Sequence, residues 1–114
     1  MAHILLFVRD FELGTKLSGI CTDLEQIVEF VDEKSDPRLF GNNAKMAIVD
    51  LDDKVFSSIG LIAELARYDL KVVGFMKQVN NKNQSKLKKA GCEMILPRSS
   101  LVKNMPTLIK ELLH

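Results

Sequence analysis

Four short apolar runs, each closing on a residue able to do chemistry, limit what this chain can fold into. They are residues 4–8 (Ile-Leu-Leu-Phe-Val) before Arg9-Asp10, and residues 46–49 (Met-Ala-Ile-Val) before Asp50-Leu51-Asp52-Asp53. Residues 72–75 (Val-Val-Gly-Phe) precede Met76, and residues 94–96 (Met-Ile-Leu) precede Pro97-Arg98. Unbroken apolar runs of strand length suit parallel strands covered on both faces. In open α/β sheets, ligands gather outside the carboxyl ends of the strands, so these four ends are expected to converge on one small site. They bring several acids and Arg98, but no thiol or histidine nucleophile and no glycine-rich phosphate loop.

The 114 residues make one domain, 1–114, large enough for a real core and too small for two. An apolar content of 46% with 27% charge is that of a globular chain rather than a disordered one. No apolar run approaches the ~20 residues a bilayer requires, so no membrane association is expected. Met1-Ala2-His3-Ile4 carries no basic stretch or cleavage site, which argues against a secretory signal. Cys21 and Cys92 do not make a disulfide framework and fit a reducing cytoplasm. Residues 1–53 hold 5 basic and 11 acidic side chains, whereas residues 54–114 hold 11 and 4. Such a split suits head-to-tail contacts or a charged partner, although two halves of a compact fold also mix in space.

Between the strands, residues 11–21 place Leu13, Leu17, Ile20 and Cys21 at helical spacing. Residues 26–31 read as a second strand, and 32–43, with Pro37 and Gly41, as a polar loop with at most a short helix. Residues 46–51 form the third strand. Residues 58–68 set Ile59, Ile62, Ala63, Leu65 and Ala66 on one helical stripe. A short polar helix capped by Asn80 or Asn81 runs to Ala90, with Gly91 as its stop. A last helix over 101–114 buries Leu101, Val102, Met105, Leu108, Ile109, Leu112 and Leu113, with Pro106 expected in its first turn because an interior proline costs roughly 3 kcal/mol. Five strands alternating with helices over short connections imply a parallel sheet with right-handed crossovers.

Placed on these elements, the chain resembles the receiver domain of two-component response regulators over residues 4–112. Gly91 in Ala90-Gly91-Cys92 resembles the family's Ala-Gly-Ala turn, seven residues before Arg98 and fifteen after Met76. Val8-Arg9-Asp10-Phe11 resembles its Val-Asp-Asp-Phe. The chain also looks like divergent stand-alone receiver-like proteins through Val49-Asp50-Leu51, Gly74-Phe75 and Gly91-Cys92-Glu93-Met94-Ile95-Leu96-Pro97-Arg98-Ser99. The resemblance implies a flavodoxin-like three-layer α/β sandwich with a five-stranded parallel sheet of order 2-1-3-4-5. It implies an acidic pair after the first strand for Mg²⁺ and a phosphoacceptor aspartate after the third. A Thr or Ser after the fourth strand, an aromatic residue in the fifth and a Lys after it would complete the site.

The departures bear on function. Arg9 replaces one acid of the pair, Met76 the hydroxyl residue, Ile95 the aromatic and Arg98 the lysine. Methionine cannot donate the hydrogen bond that a hydroxyl would give a phosphoryl oxygen. Arg9 is expected either to pair with Asp10, Asp50 or Asp52 in place of a cation, or to point to solvent. The acceptor slot falls to Asp50, which ends the apolar strand, or to Asp52, which keeps an eight-residue interval to Gly60. Asp52 and Asp53 also read as a solvated loop. Cys21, Cys92, Met46, Met94 and Met105 read as core, while Met76 is placed where it could border a pocket. His3 and His114 lack metal-ligand spacing.

Lys82, Lys86 and Lys89 fall at i, i+4, i+7 and form a basic ridge, or simply a solvated face. By resemblance, receivers use the corresponding helix for partner and dimer contacts. The leading expectation is a cytoplasmic pseudo-receiver, not an enzyme and without cofactor, that signals by binding a protein independently of Asp phosphorylation. The protein partner could be a histidine kinase, another signalling protein or a second copy. Nucleic acid is disfavoured, because no aromatic residues interleave with the lysines. The alternative is a phosphorylatable single-domain regulator with Asp50 as acceptor and Mg²⁺ held by Asp10 and Asp50. A small-ligand binder in the crevice is a weaker third reading, since no phosphate-cradling loop follows the first strand.

Overall fold

A computed structural model describes residues 3–32, 44–79 and 81–113, apart from the side chains of Asn81 and Asn83. The elements run β1 (Ile4–Phe7), α1 (Phe11–Asp23), β2 (Val28–Phe30), β3 (Met46–Asp50), α2 (Ile59–Arg67), β4 (Lys71–Met76), α3 (Asn81–Ala90), β5 (Cys92–Pro97) and α4 (Arg98–Leu112). All strands are parallel, in the expected order β2-β1-β3-β4-β5.

Every residue of β1 and β3 is buried, because helices cover both faces of these central strands. The alternation of side chains divides the core in two. Ile4, Leu6, Ile48, Val73 and Phe75 meet Leu17 and Cys21 of α1 and Leu101, Met105 and Leu108 of α4. On the other face Leu5, Phe7, Ala47, Val49 and Val72 share a core with Phe56, with Ile62 and Leu65 of α2, and with Leu87 of α3. Full burial of a Leu, Ile or Phe side chain contributes about 1.5–3 kcal/mol, so these two layers dominate the stability.

Several expected boundaries shift, for identifiable reasons. The edge strand β2 has only three residues, yet its pairing continues as single bonds from Ile4 N–H to the Ile27 carbonyl and from Val31 N–H to Leu6. Strands β4 and β5 are longer than their apolar runs because the ladders carry Lys71 opposite Met46 and Pro97 opposite Met76. Ser58 does not begin α2 but caps it, accepting the Leu61 N–H at 2.9 Å. The expectations for residues 33–43 and for Asn80 lie outside the described residues.

Pro106 departs most from expectation. It sits inside α4, which begins at Arg98 directly after β5. Without an N–H it leaves the Val102 carbonyl without that helical bond. Burial of Leu101, Met105, Leu108 and Ile109 on both sides of the proline outweighs that cost.

Gly91, between α3 and β5, has φ +120°, and a Cβ there would lie 2.4 Å from Ala66 Cβ. Only glycine lets the chain pass so close to α2 while turning into β5. That turn sets the direction of β5, and so delivers Arg98 to the carboxyl edge of the sheet.

Candidate functional site

The chain leaves β1 through Arg9 and Asp10 and leaves β3 at Asp50, and α4 starts at Arg98. These ends meet at the carboxyl edge of the sheet. Asp10 is the N-cap of α1: its Oδ1 accepts the Leu13 N–H at 3.1 Å. That N–H, together with the Arg98 charge, holds the Asp10 carboxyl below the usual aspartate range, against a smaller opposing effect of desolvation.

Asp50 is the one buried charged residue among those described, 6% exposed. Its Oδ1 accepts the Asp52 N–H at 3.0 Å, starting a tight turn in which Asp53 N–H reaches back to the Asp50 carbonyl at 3.3 Å. This turn fixes the acidic loop. Asp52 Oδ2 accepts the Lys77 N–H at 2.8 Å, tying the loop to the end of β4.

Arg98 joins the two aspartates. Its Nη2 donates to Asp10 Oδ2 at 2.5 Å and its Nη1 to Asp50 Oδ2 at 3.4 Å, while the guanidinium lies 5.4 Å from the Phe75 ring centroid. Stacking on Phe75 supports a planar cation better than it would an ammonium. Arg98 is also the first residue of α4, where no side chain caps the helix and a positive charge is unfavourable with respect to the helix dipole. The two carboxylates offset that cost.

Arg9 pairs with none of the three acids expected for it. It turns to Asp53, with Nε on Oδ2 at 2.6 Å and Nη2 on Oδ1 at 3.0 Å. The turn at Asp50 folds Asp53 back toward the β1 end, and a second bond from Val55 N–H at 2.9 Å holds its carboxylate in place. Asp53 is therefore not a solvated loop residue, and its carboxyl is held below the usual range chiefly by the Arg9 hydrogen bonds.

The structure thus groups Asp10, Asp50 and Arg98, with Arg9 and Asp53 beside them. Met76 is directed elsewhere. It is buried in the α2–α3 side of the core and borders a cavity of about 260 Å³ shared with Lys86 and Ser57. Ile95 is buried in the same core. Lys82, Lys86 and Lys89 are exposed along α3. A second cavity, about 330 Å³, opens between Phe11 and Phe30 beside Arg9 and Asp10. Cys21 is buried, and desolvation pushes its thiol up to about 11; burial also raises that of Cys92. Neither has the thiolate character of a nucleophile at neutral pH.

Sequence reasoning missed Asp53 as a partner and Phe75 as the surface under Arg98. Phe75 carried a usable signal, since it pairs with Asp50 in the β3–β4 register and so lies beside the site. Mg²⁺ is the ion that the receiver resemblance implies, and the residues present do not fit it. Among the described residues no group of three or more His, Cys, Asp or Glu side chains could hold a metal. The two carboxylates that do converge are bridged by a guanidinium that cannot deprotonate.

No protein-family model matches this chain, and no curated protein sequence matches it. Solved structures do. A two-component response regulator from Clostridium difficile is similar at TM-score 0.84 and 12% identity, over 99% of this chain and 96% of that one. The chemotaxis protein CheY4 from Vibrio cholerae gives 0.81 at 12% identity, over 98% of each chain. A response regulator from Thermotoga maritima gives 0.78 at 14%, over 98% of this chain and 97% of that one. At these identities the likeness is one of fold: this chain has the fold of response-regulator receiver domains.

Proposed function

We propose that this chain is a receiver-like signalling module that acts by binding a protein partner, without phosphorylation of an aspartate and without enzymatic turnover. The receiver fold supports the signalling role in general terms. The observation that carries the finer reading is the state of Asp50. Its Oδ1 accepts the Asp52 N–H at 3.0 Å, its Oδ2 lies 3.4 Å from Arg98 Nη1, and the residue is buried, so a phosphodonor would have to compete with a partner at each oxygen. Phosphoryl transfer depends on positioning and on stabilising the equatorial oxygens. Met76 lies in the core, where its thioether offers no hydrogen-bond donor for that purpose.

On this reading the cluster of Asp10, Asp50 and Arg98 fixes the loops, and the output surface is α3 with β5 and α4. The exposed Lys82, Lys86 and Lys89 suit an acidic protein surface. One observation favours a second reading. Asp50 ends β3 within reach of Arg98, a cation that would neutralise a phosphoryl group there. In that case the chain is a phosphorylatable regulator with Asp50 as acceptor.

Incubation with acetyl phosphate or phosphoramidate and Mg²⁺, followed by intact mass measurement, separates the two. An unchanged mass is expected. A labile gain of one phosphoryl group, absent in Asp50→Asn, replaces this proposal with the second reading.

A further inference from the structure

Asp10 and Asp50 each have one oxygen fixed by a backbone N–H, from Leu13 and from Asp52. Each presents its other oxygen, Oδ2, to the same guanidinium: Asp10 to Nη2 of Arg98 at 2.5 Å and Asp50 to Nη1 at 3.4 Å. Two carboxylates flanking a single cation are the kind of oxygen donors from which a small divalent ion takes part of its shell, with water supplying the rest. In this chain the guanidinium of Arg98 is that cation, supported on the ring of Phe75 and anchored as the first residue of α4. An incoming ion must displace it, and arginine cannot yield by losing a proton.

We propose that Arg98 is the built-in cation of this site: it occupies the Asp10–Asp50 donor pair in place of a divalent ion, and removing its charge uncovers a divalent-ion site. This deepens the reading of a non-phosphorylating module but is tested without any phosphodonor, so the two can fail separately. A mass gain from acetyl phosphate overturns the first, and metal binding by the native chain overturns the second.

The experiment is a Mn²⁺ titration of ¹⁵N-labelled protein, reading paramagnetic broadening of individual amide resonances, with Mg²⁺ as competitor. In the native chain the amides of Asp10, Phe11, Asp50 and Leu51 should broaden no more than those of exposed acids elsewhere. In Arg98→Met, which keeps an apolar stem over Phe75, the same amides should broaden selectively, with apparent affinity raised about tenfold or more. Adding Asp10→Asn should remove the gain, and Arg98→Lys, which keeps a cation, should show little of it. Selective broadening at Asp10 and Asp50 in the native chain overturns the proposal, as does a folded Arg98→Met with no gain. Should Arg98→Met fail to fold, Arg98→Gln is read in its place, and the native titration still decides against the proposal if it is selective.

Discussion

Arg9 grips Asp53, not its neighbour Asp10, through two hydrogen bonds of 2.6 and 3.0 Å across 44 residues of sequence. The pair ties the end of β1 to the loop after β3, while Asp10 and Asp50 both pair with Arg98. Arg9 is 54% exposed at its side chain, so solvent screens the pair. A double-mutant cycle of Arg9→Gln and Asp53→Asn, followed by urea denaturation, should give a coupling of about 0.5–1 kcal/mol. The coupling should shrink at high salt.

The depressed carboxyls of Asp10 and Asp53 contribute to the response to acid. A group whose folded-state pKa lies below its unfolded one contributes stability that is complete above the unfolded value, near pH 4, and is lost as pH falls through the folded value. The melting temperature should therefore fall below about pH 4 for this reason. Asp53→Asn imitates the protonated state, so the gap between its Tm and that of the native chain should close as pH drops from neutral toward the acid limit. A gap that stays constant would mean that Asp53 is not a source of the acid response.

Gly91→Ala and Gly74→Ala should differ in cost. At Gly91 the added Cβ meets Ala66 Cβ at 2.4 Å, on a backbone with φ +120° that an L side chain rarely adopts. Strain and overlap together should cost about 3 kcal/mol or prevent folding. At Gly74 the contact is Leu51 Cδ1 at 2.5 Å, the end of a side chain that can rotate, so about 1–2 kcal/mol is expected. Chemical denaturation of both variants checks the ranking.

Pro106→Ala should stabilise the protein. The alanine restores an N–H for the Val102 carbonyl and removes the ring from the interior of α4. The gain, offset by a more flexible unfolded chain, should be about 1–2 kcal/mol in denaturant titration. An unchanged or lower midpoint would show that the helix is shaped around the proline.

Strand–helix alternation was legible because unbroken apolar runs and amphipathic stripes depend only on local residue types, whereas the sheet order came from the receiver resemblance alone. Element ends were less legible. Pairing in β4 and β5 extends over Lys71 and Pro97, residues that carry no apolar signal. At the site, the sequence could bring Asp10, Asp50 and Arg98 to one edge, but it could not assign partners. Which acid meets which arginine depends on the turn in which Asp50 Oδ1 takes the Asp52 N–H and Asp53 swings back. Pro106 was misplaced because local propensity was weighed without the burial that α4 gains on both sides of it.

No two neighbouring strands are joined by a hairpin; even the nearest partners, such as Val72 and Cys92, are twenty positions apart. Each sheet contact must therefore wait for a long loop to close, which slows assembly compared with a helical bundle. Asp10, Asp50 and Arg98 lie at the far ends of three such closures. The complete cluster comes into being only when β5 docks and brings Arg98 to the edge where the paired strands β1 and β3 already hold Asp10 and Asp50.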